Sequence, residues 1–337
     1  YKDIYTKRAV RLDWYVVFFV VWLVYKIVTI FWTTDLAIPK LHFASQLGMV
    51  GFLFVLASTD IGERQRGMVL GGYFWGSVAF CLLSLAFMEP SGSYTQRFVL
   101  TLFGVQVDPN NAAASALPAF ALGVYFCTRV RRVSIKCVYG LLGAIAAYVV
   151  LMTGSRGGML AVAAAAAALL FFSTDLKLYQ KAAVAALLVV GCILVLGFLP
   201  QDTYARLFQD DYTDGSGRTE LWGAVWNAFL TNPIFGIGWG AATSLNGGMA
   251  THNTLLSMLC EQGVFGTLFF VAPVVYAVVT SFREKNVLPI ILLVCAIVPA
   301  LTIDAINKRF VWYGVTLALV FLNRVDCNQD HPGLRER

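Results

Sequence analysis

Residues 14–32 read WYVVFFVVWLVYKIVTIFW, nineteen positions with one charge, Lys26. A run of that kind meets the roughly 20 apolar residues needed to cross a ~30 Å hydrocarbon core. Ala182–Leu199 and Val264–Phe282 repeat the pattern. Backbone amides in lipid have no water to bond, so only helices and closed barrels span it. A barrel strand would be about ten residues of alternating polarity between turns, and no such alternation is present. Charged residues make up 13% of the chain and hydrophobic ones 58%, at a mean hydropathy of +0.71. A soluble domain carries about 25% charge. The fold class is therefore all-α, a polytopic transmembrane helix bundle.

Apolar runs place spans near 14–32, 41–58, 68–88, 112–128, 137–153, 157–172, 182–199, 263–281, 287–303 and 310–323, about ten in all. Gln96–Val107 is apolar but short and reads as an interfacial or re-entrant helix. Residues 1–337 form one membrane domain on this reading, with 200–251 as the longest loop, between the seventh and eighth spans. The first residues, YKDIYTKRAVRLD, lack both an initiator Met and a signal-peptide core. They suggest that the sequence begins inside a longer protein and lacks spans ahead of it. The seven cysteines show no paired spacing and read as buried hydrophobes, neither disulfides nor metal ligands.

Lys and Arg in the connecting segments set the orientation. With the N-terminus inside, inner segments hold 17 basic residues and outer segments seven: Lys40, Arg97, Arg156, Arg206, Arg218, Lys308 and Arg309. Most of the net +6 charge is thus a topology signal, and nucleic acid is not an expected partner. The loop 200–251 then faces outward. Within it, Arg218 to about Leu230 reads as a short amphipathic helix, capped by Ser216 or a neighbour, with Trp222, Val225 and Phe229 on one side. Asn232-Pro233 ends it, and Gly236, Gly238 and Gly240 leave the following backbone free to bend.

Three outward positions could carry chemistry. His252, in THNTLLSMLCEQGVFG, is one of three histidines. With Thr251 as N-cap it would lie in the first helical turn, where the helix dipole favours a neutral imidazole able to accept a proton. An interfacial histidine bonded to backbone groups is equally compatible with these residues, and Asn253 is an alternative cap or a substrate contact. Arg156 lies in Thr153-Gly154-Ser155-Arg156-Gly157-Gly158. Small residues such as Ser155 and Gly157 let a ligand approach the backbone, and a guanidinium there suits phosphate or pyrophosphate. The bland alternative is an arginine reaching lipid headgroups. Arg218, after Gly215-Ser216-Gly217, repeats the design.

Glu261, nine residues after His252, falls on the opposite helix face unless Gly263 breaks the helix. Asp202, Asp210, Asp211, Asp214 and Glu220 lack EF-hand spacing and read as a solvated acidic loop. In Asp108-Pro109-Asn110-Asn111, Asn111 is the expected cap. Lys308 and Arg309 are interfacial anchors or add charge to the outer site.

The blocks DPNNAAASALP, TGSRGGML, GRTELWGAVWNAFLTNPIFGIGWG, HNTLLSMLCEQGVFG and KRFVWYGV, in this order across roughly residues 105–320, resemble the O-antigen ligase and polymerase superfamily of bacterial envelope glycan enzymes. The resemblance implies a GT-C-like bundle in the bacterial cytoplasmic (inner) membrane, with its active site facing the periplasm or outside. It implies an inverting glycosyltransferase that uses no metal and no cofactor. The donor would be a glycan on undecaprenyl pyrophosphate, and the acceptor lipid A-core or another glycan. Arg156 and Arg218 would hold the pyrophosphate, and His252 would activate the acceptor hydroxyl. Ser155, Gly157, Asn253, Lys308 and Arg309 would contact substrate. The span count and the short Arg218–His252 interval depart from the family pattern, which leaves the acceptor open. A polymerase would use the same site. A transporter of lipid-linked sugars would use the same arginines without making a bond.

Overall fold

The computed structural model describes residues 12–59, 61–91, 97–173, 176–208 and 218–322. In chain order they form α1 (Trp14–Val28) with a 3-10 turn at Thr29–Phe31, α2 (Ala37–Ser58), α3 (Glu63–Phe87), β1 (Met88–Pro90), β2 (Phe98–Leu102), β3 (Val105–Val107), α4 (Pro109–Arg129), α5 (Val133–Met152), α6 (Arg156–Phe172) and α7 (Leu178–Gly197). The segment 200–251 contributes α8 (Gln201–Phe208), α9 (Arg218–Thr231) and α10 (Ala241–Leu245). There follow α11 (Thr254–Arg283), α12 (Val287–Ala300) and α13 (Arg309–Leu322).

Each expected span coincides with a helix, and the chain is a multi-pass membrane protein. Six helices, α1 with its turn, α2, α3, α4, α5 and α11, are long and apolar enough to cross a membrane. Among the described residues α6, α12 and α13 are apolar but shorter, as is the stretch Leu178–Leu194 of α7. At a rise of about 1.5 Å per residue, a helix the length of α12 or α13 covers roughly 21 Å.

One expected element is of the wrong kind. Of the segment Gln96–Val107, the described residues 97–107 form no helix: β2 and β3 pair antiparallel, Leu102 opposite Val105, and β1 pairs with β2 from the other side. The sequence Val-Leu-Thr-Leu favours a strand. Phe103 and Gly104, at φ 51 and 77, make a two-residue turn of the handedness that hairpins require.

The helices gather into two compact units, one of Tyr1–Gly67, Asp214–Ser281 and Ala300–Arg337, the other of Met68–Thr213 and Phe282–Pro299. The first is built on an aromatic core. Phe19 and Trp22 of α1 meet Phe270 of α11 and Trp312 of α13 with ring centroids 5.4–5.6 Å apart. Tyr15, Phe19, Trp22 and Lys26 lie on one stripe of α1, at the i, i+4, i+7 and i+11 positions that face a helical core. The same face that buries three aromatics thus also buries an ammonium.

In the second unit α4 is the centre, buried almost continuously from Ala112 to Gly123. Small residues let its neighbours close in, as packing in lipid favours. A Cβ on Gly123 would lie 3.1 Å from the carbonyl of Tyr139, and one on Gly158 would lie 2.8 Å from Ala113 Cβ. α4 is capped by Asp108, whose carboxylate accepts from the amides of Asn110 and Asn111 at 3.0 Å, with Pro109 at the first helical position. Asn111 is therefore not the cap. Proline has no N–H to offer, so the aspartate ahead of it reaches the next two amides. The six described cysteines are free.

Candidate functional site

The TGSRGG turn belongs to the second unit. α5 ends with Gly154 in the left-handed region at φ 60. A Cβ there would lie 3.1 Å from Arg206 Cδ and 3.3 Å from Arg97 Cγ, so glycine is also required for space. Ser155 caps α6: its Oγ accepts from the amide of Gly158 at 3.1 Å and donates to Asn110 Oδ1 at 2.9 Å. Arg156 opens α6, exposed, and its Nη2 donates to the carbonyl of Arg206 at 2.9 Å. Arg206, on α8, donates from Nε to the carbonyl of Gly154 at 3.4 Å. Gly157 lies half-buried in the first turn of α6.

The remaining candidates belong to the first unit, and Arg218, His252 and Lys308 are drawn to one short segment, residues 302–308, between α12 and α13. Arg218 opens α9 and donates from Nη1 to the carbonyl of Thr302 at 3.4 Å. One turn on, Trp222 donates from Nε1 to the carbonyl of Thr251 at 2.8 Å. α9 buries Val225 and Phe229 of the expected apolar side, whereas Trp222 is exposed; Ser216, the proposed cap, lies outside the described residues.

Thr251 is not the cap of α11. Its amide donates to Asp304 Oδ2 at 2.7 Å and its carbonyl receives Trp222, so both of its polar backbone groups point away from the helix. Asn253 caps instead, with Oδ1 accepting from the amide of Leu256 at 3.1 Å. His252 therefore precedes the helix, held at φ 56. The left-handed region is uncommon for a non-glycine residue, though histidine enters it more readily than most.

A carboxylate, Asp304, lies within electrostatic reach of His252. Asp304 interacts electrostatically with the His252 ring, and it also accepts the His252 backbone amide and the Ser257 hydroxyl. Burial pushes the Asp304 carboxyl above its ordinary value, against the opposing pull of Ser257, Thr251 and His252. The helix-terminus argument for His252 thus gives way to a carboxylate partner that no local pattern announced.

The segment is fixed on its other residues too. Thr254 Oγ1 donates to the carbonyl of Ile303 at 2.7 Å and accepts the amide of Ala305 at 2.8 Å. The carbonyl of Ile306 receives Gln46 Nε2 and Trp312 Nε1 at 2.9 and 2.8 Å. Lys26, fully buried, donates to Gln46 Oε1 at 3.1 Å and Asn307 Oδ1 at 3.4 Å, with the rings of Trp22 and Trp239 around it at 5.0 and 4.5 Å. Lys308 closes the segment within electrostatic reach of His42, and exposed Arg309 begins α13. A charge inside an apolar span is expensive and marks a functional position by default, and Lys26 carried that signal in the sequence.

Glu261 does not reach His252. Its carboxylate takes the backbone amides of Gly240 and Ala242 and lies near Lys26. Gly263 breaks α11 at φ 64, ψ −172, and the 233–240 loop fills the break. The amides of Val264 and Phe265 donate to the carbonyls of Pro233 and Ile234, and those of Ile237 and Gly238 to the carbonyls of Cys260 and Glu261. The glycines of this loop are not free hinges. A Cβ on Gly236 would lie 2.4 Å from Gln262 N, and one on Gly238 2.6 Å from Thr33 Cα. The alternating glycines weld the loop to the kink.

Among the described residues no cluster of three or more His, Cys, Asp or Glu could hold a metal. The acidic residues 210, 211 and 214 lie outside the described residues.

Comparison with known proteins adds a family. A family model described as O-antigen ligase matches residues 141–271, from α5 through the TGSRGG turn, α9, His252 and the Gly263 kink. One similar chain comes from a solved structure described as "Structural coordination of polymerization and crosslinking by a peptidoglycan synthase complex". It aligns at a TM-score of 0.50 and 14% identity, over 92% of this chain and 97% of that one, a likeness of fold alone. No curated protein matches.

Proposed function

We propose that this chain, a multi-pass membrane protein with an O-antigen ligase family region over residues 141–271, moves a glycan from undecaprenyl pyrophosphate to an acceptor hydroxyl at the outer face of the bacterial cytoplasmic membrane. The acceptor on this reading is lipid A-core, as for a ligase; extension of a growing chain, as by a polymerase, is the same chemistry with another hydroxyl.

The observation that carries the proposal is the convergence of His252, Asp304 and Arg218 on residues 302–308. Its roles divide as follows. The acceptor O–H gives its proton to the His252 imidazole while its oxygen attacks the anomeric carbon. The bond from that carbon to the pyrophosphate oxygen breaks, and the electron pair leaves on the pyrophosphate. Attack opposite the leaving group inverts the anomeric centre. Asp304 orients the imidazole and stabilises the imidazolium that forms, in the manner of any buried carboxylate behind a histidine base. Arg218, in the same unit as His252 and Asp304, meets the charge that grows on the leaving oxygen, and Arg156 is a phosphate-binding arginine of the other unit. Ser155 and Asn253 commit hydroxyl and carbonyl oxygens to capping α6 and α11, so they set the placement of Arg156 and His252. Gly157 keeps the approach beside Arg156 small, while Lys308 and Arg309 supply positive charge for the donor.

A transporter reading draws support from one observation, the broken helix α11, since transporters build sites at discontinuous helices. The break here is a welded joint, with four backbone hydrogen bonds from the 233–240 loop across it. A gating element needs two arrangements of similar energy, and such a joint offers one.

The test is transfer by purified protein from an undecaprenyl-pyrophosphate oligosaccharide, offered lipid A-core and free repeat units separately, alongside His252→Ala and Arg156→Ala. Product on lipid A-core, lost in both variants, supports the ligase; a ladder of lipid-linked chains supports the polymerase. Folded protein that binds donor and yields neither product, with His252→Ala indistinguishable in binding, overturns the enzyme reading.

A further inference from the structure

One peptide group carries the approach to His252, and it is held at both ends. Its carbonyl, that of Thr251, receives the indole N–H of Trp222 at 2.8 Å, and its amide, that of His252, donates to the Asp304 carboxylate. Trp222 and Trp226 stand one turn apart on α9, at the margin of the stripe that buries Val225 and Phe229, and are 37% and 46% exposed. The Trp226 ring leans on Phe229, with centroids 5.1 Å apart. A tryptophan that anchors a protein at a membrane interface turns its ring to lipid and its N–H to water and headgroups. Trp222 is turned the other way: its N–H ends on the backbone beside the histidine, and ring carbon is what it leaves uncovered. Fixing the indole by that bond also removes rotamer freedom that a ligand would otherwise have to freeze.

We propose that Trp222 and Trp226 form an aromatic subsite for the acceptor glycan, with Trp222 under the sugar whose hydroxyl meets His252 and Trp226 under its neighbour. The proposal rests on the glycosyl-transfer reading above. One face of a pyranose presents C–H groups drained of electron density by the ring and hydroxyl oxygens. The face of an indole is the negative part of its quadrupole, so the two surfaces attract, and both shed water when they meet. Residues four apart on a helix lie about 5–6 Å apart at Cβ, a spacing on the scale of consecutive sugars in a chain. A sugar on Trp222 lies against the peptide group that carries the base, which is where the attacking hydroxyl is needed. The contact is to ring faces and not to particular hydroxyls, so the subsite holds the sugar chain in register and reads its identity loosely.

The experiment compares Trp222→Phe and Trp226→Phe, which keep an aromatic face, with Trp222→Leu and Trp226→Leu, which keep apolar bulk without one. Binding of a soluble oligosaccharide of repeat units to the purified protein in detergent is measured by titration calorimetry, and acceptor KM in the transfer assay. Both Trp222 variants lose the bond to Thr251, so the loss common to them reports that bond and the difference between them reports stacking. In each pair the leucine variant should bind the oligosaccharide roughly tenfold more weakly than the phenylalanine variant, as for other rings stacked on aromatic side chains. Acceptor KM should rise alike, with donor KM little altered. Equal binding within either pair overturns the proposal, because apolar bulk at a lipid interface would then suffice. Unaltered protein that binds no oligosaccharide overturns it too. Trp226 is the more exposed of the two, and its pair decides the matter if the Trp222 variants do not fold. Failure of the parent reading looks different: the unaltered protein transfers no glycan, yet the difference between phenylalanine and leucine variants in binding persists.

Discussion

Replacing Asp304 with asparagine separates the carboxylate from its shape. The side chain accepts the Thr251 amide at 2.7 Å, the His252 amide and the Ser257 hydroxyl, while its charge lies within reach of the imidazole. Asparagine keeps one acceptor oxygen but turns an NH2 toward a donor. A hydrogen bond to a charged group is worth about 1.5–3 kcal/mol, and one such bond is lost outright. The opposite charge beside His252 adds at most ~4 kcal/mol at an effective dielectric constant near 20, part of which solvent recovers. A combined loss of ~3–5 kcal/mol lowers kcat by roughly 10²–10⁴. The assay is initial-rate glycan transfer at saturating donor and acceptor, with the thermal unfolding midpoint measured on the same preparation. Donor KM should stay within a few-fold, because Asp304 acts on the base and not on the pyrophosphate. A folded Asp304→Asn protein whose kcat falls less than about tenfold would refute the assignment of Asp304 to His252, since loss of the charge that steadies the imidazolium should raise the barrier by more than about 1.4 kcal/mol.

Other positions give sharper structural readouts. Gly263→Ala forces a Cβ to within 2.2 Å of the Ile234 carbonyl oxygen at φ 64, so it should lose at least ~1–3 kcal/mol of stability from the backbone alone; an unchanged unfolding midpoint would contradict the welded joint. Lys26→Met leaves Glu261 buried without its cation and should cost about 3–5 kcal/mol, whereas the double variant Lys26→Met/Glu261→Gln should recover much of it in the same melt. Asp108→Ala removes the cap of α4 and should cost about 1 kcal/mol, measured in mild denaturant. Asp35 accepts the Ala37 amide and the Ser244 hydroxyl, and these hold its carboxyl below the ordinary 3.8. Its folded form is the more acidic, so its contribution is complete above the unfolded value and fades as pH falls through the folded one. Asp35→Asn should flatten the acid limb of a stability–pH profile by lowering stability at neutral pH, with the difference from the unaltered protein vanishing as pH falls through the folded value.

What the sequence determined by itself was whatever depends on neighbours along the chain. Apolar run length gives spans, because a helix in lipid satisfies its amides within one segment, and each expected span is indeed a helix. α9 with its buried Val225 and Phe229, and the break at Gly263, follow from equally local rules. Local rules also misled where two were in competition. Asp108 and Asn111 are both fit to cap α4, and the proline between them decided; Gln96–Val107 was apolar enough for a helix, but Phe103-Gly104 turned it into a hairpin. The arginine and histidine blocks were legible as residue types with a chemistry, and their partners were not. Asp304 stands 52 residues from His252, and Asn307 stands 281 residues from Lys26. Their pairing arises only when α1, α2, α11 and α13 pack, because burial removes water as the competing partner and leaves each polar group to find another. Tertiary structure therefore decided which carboxylate comes within reach of His252, why a lysine lies in the aromatic stripe of α1, and that Arg97 and Arg206 crowd one glycine, Gly154.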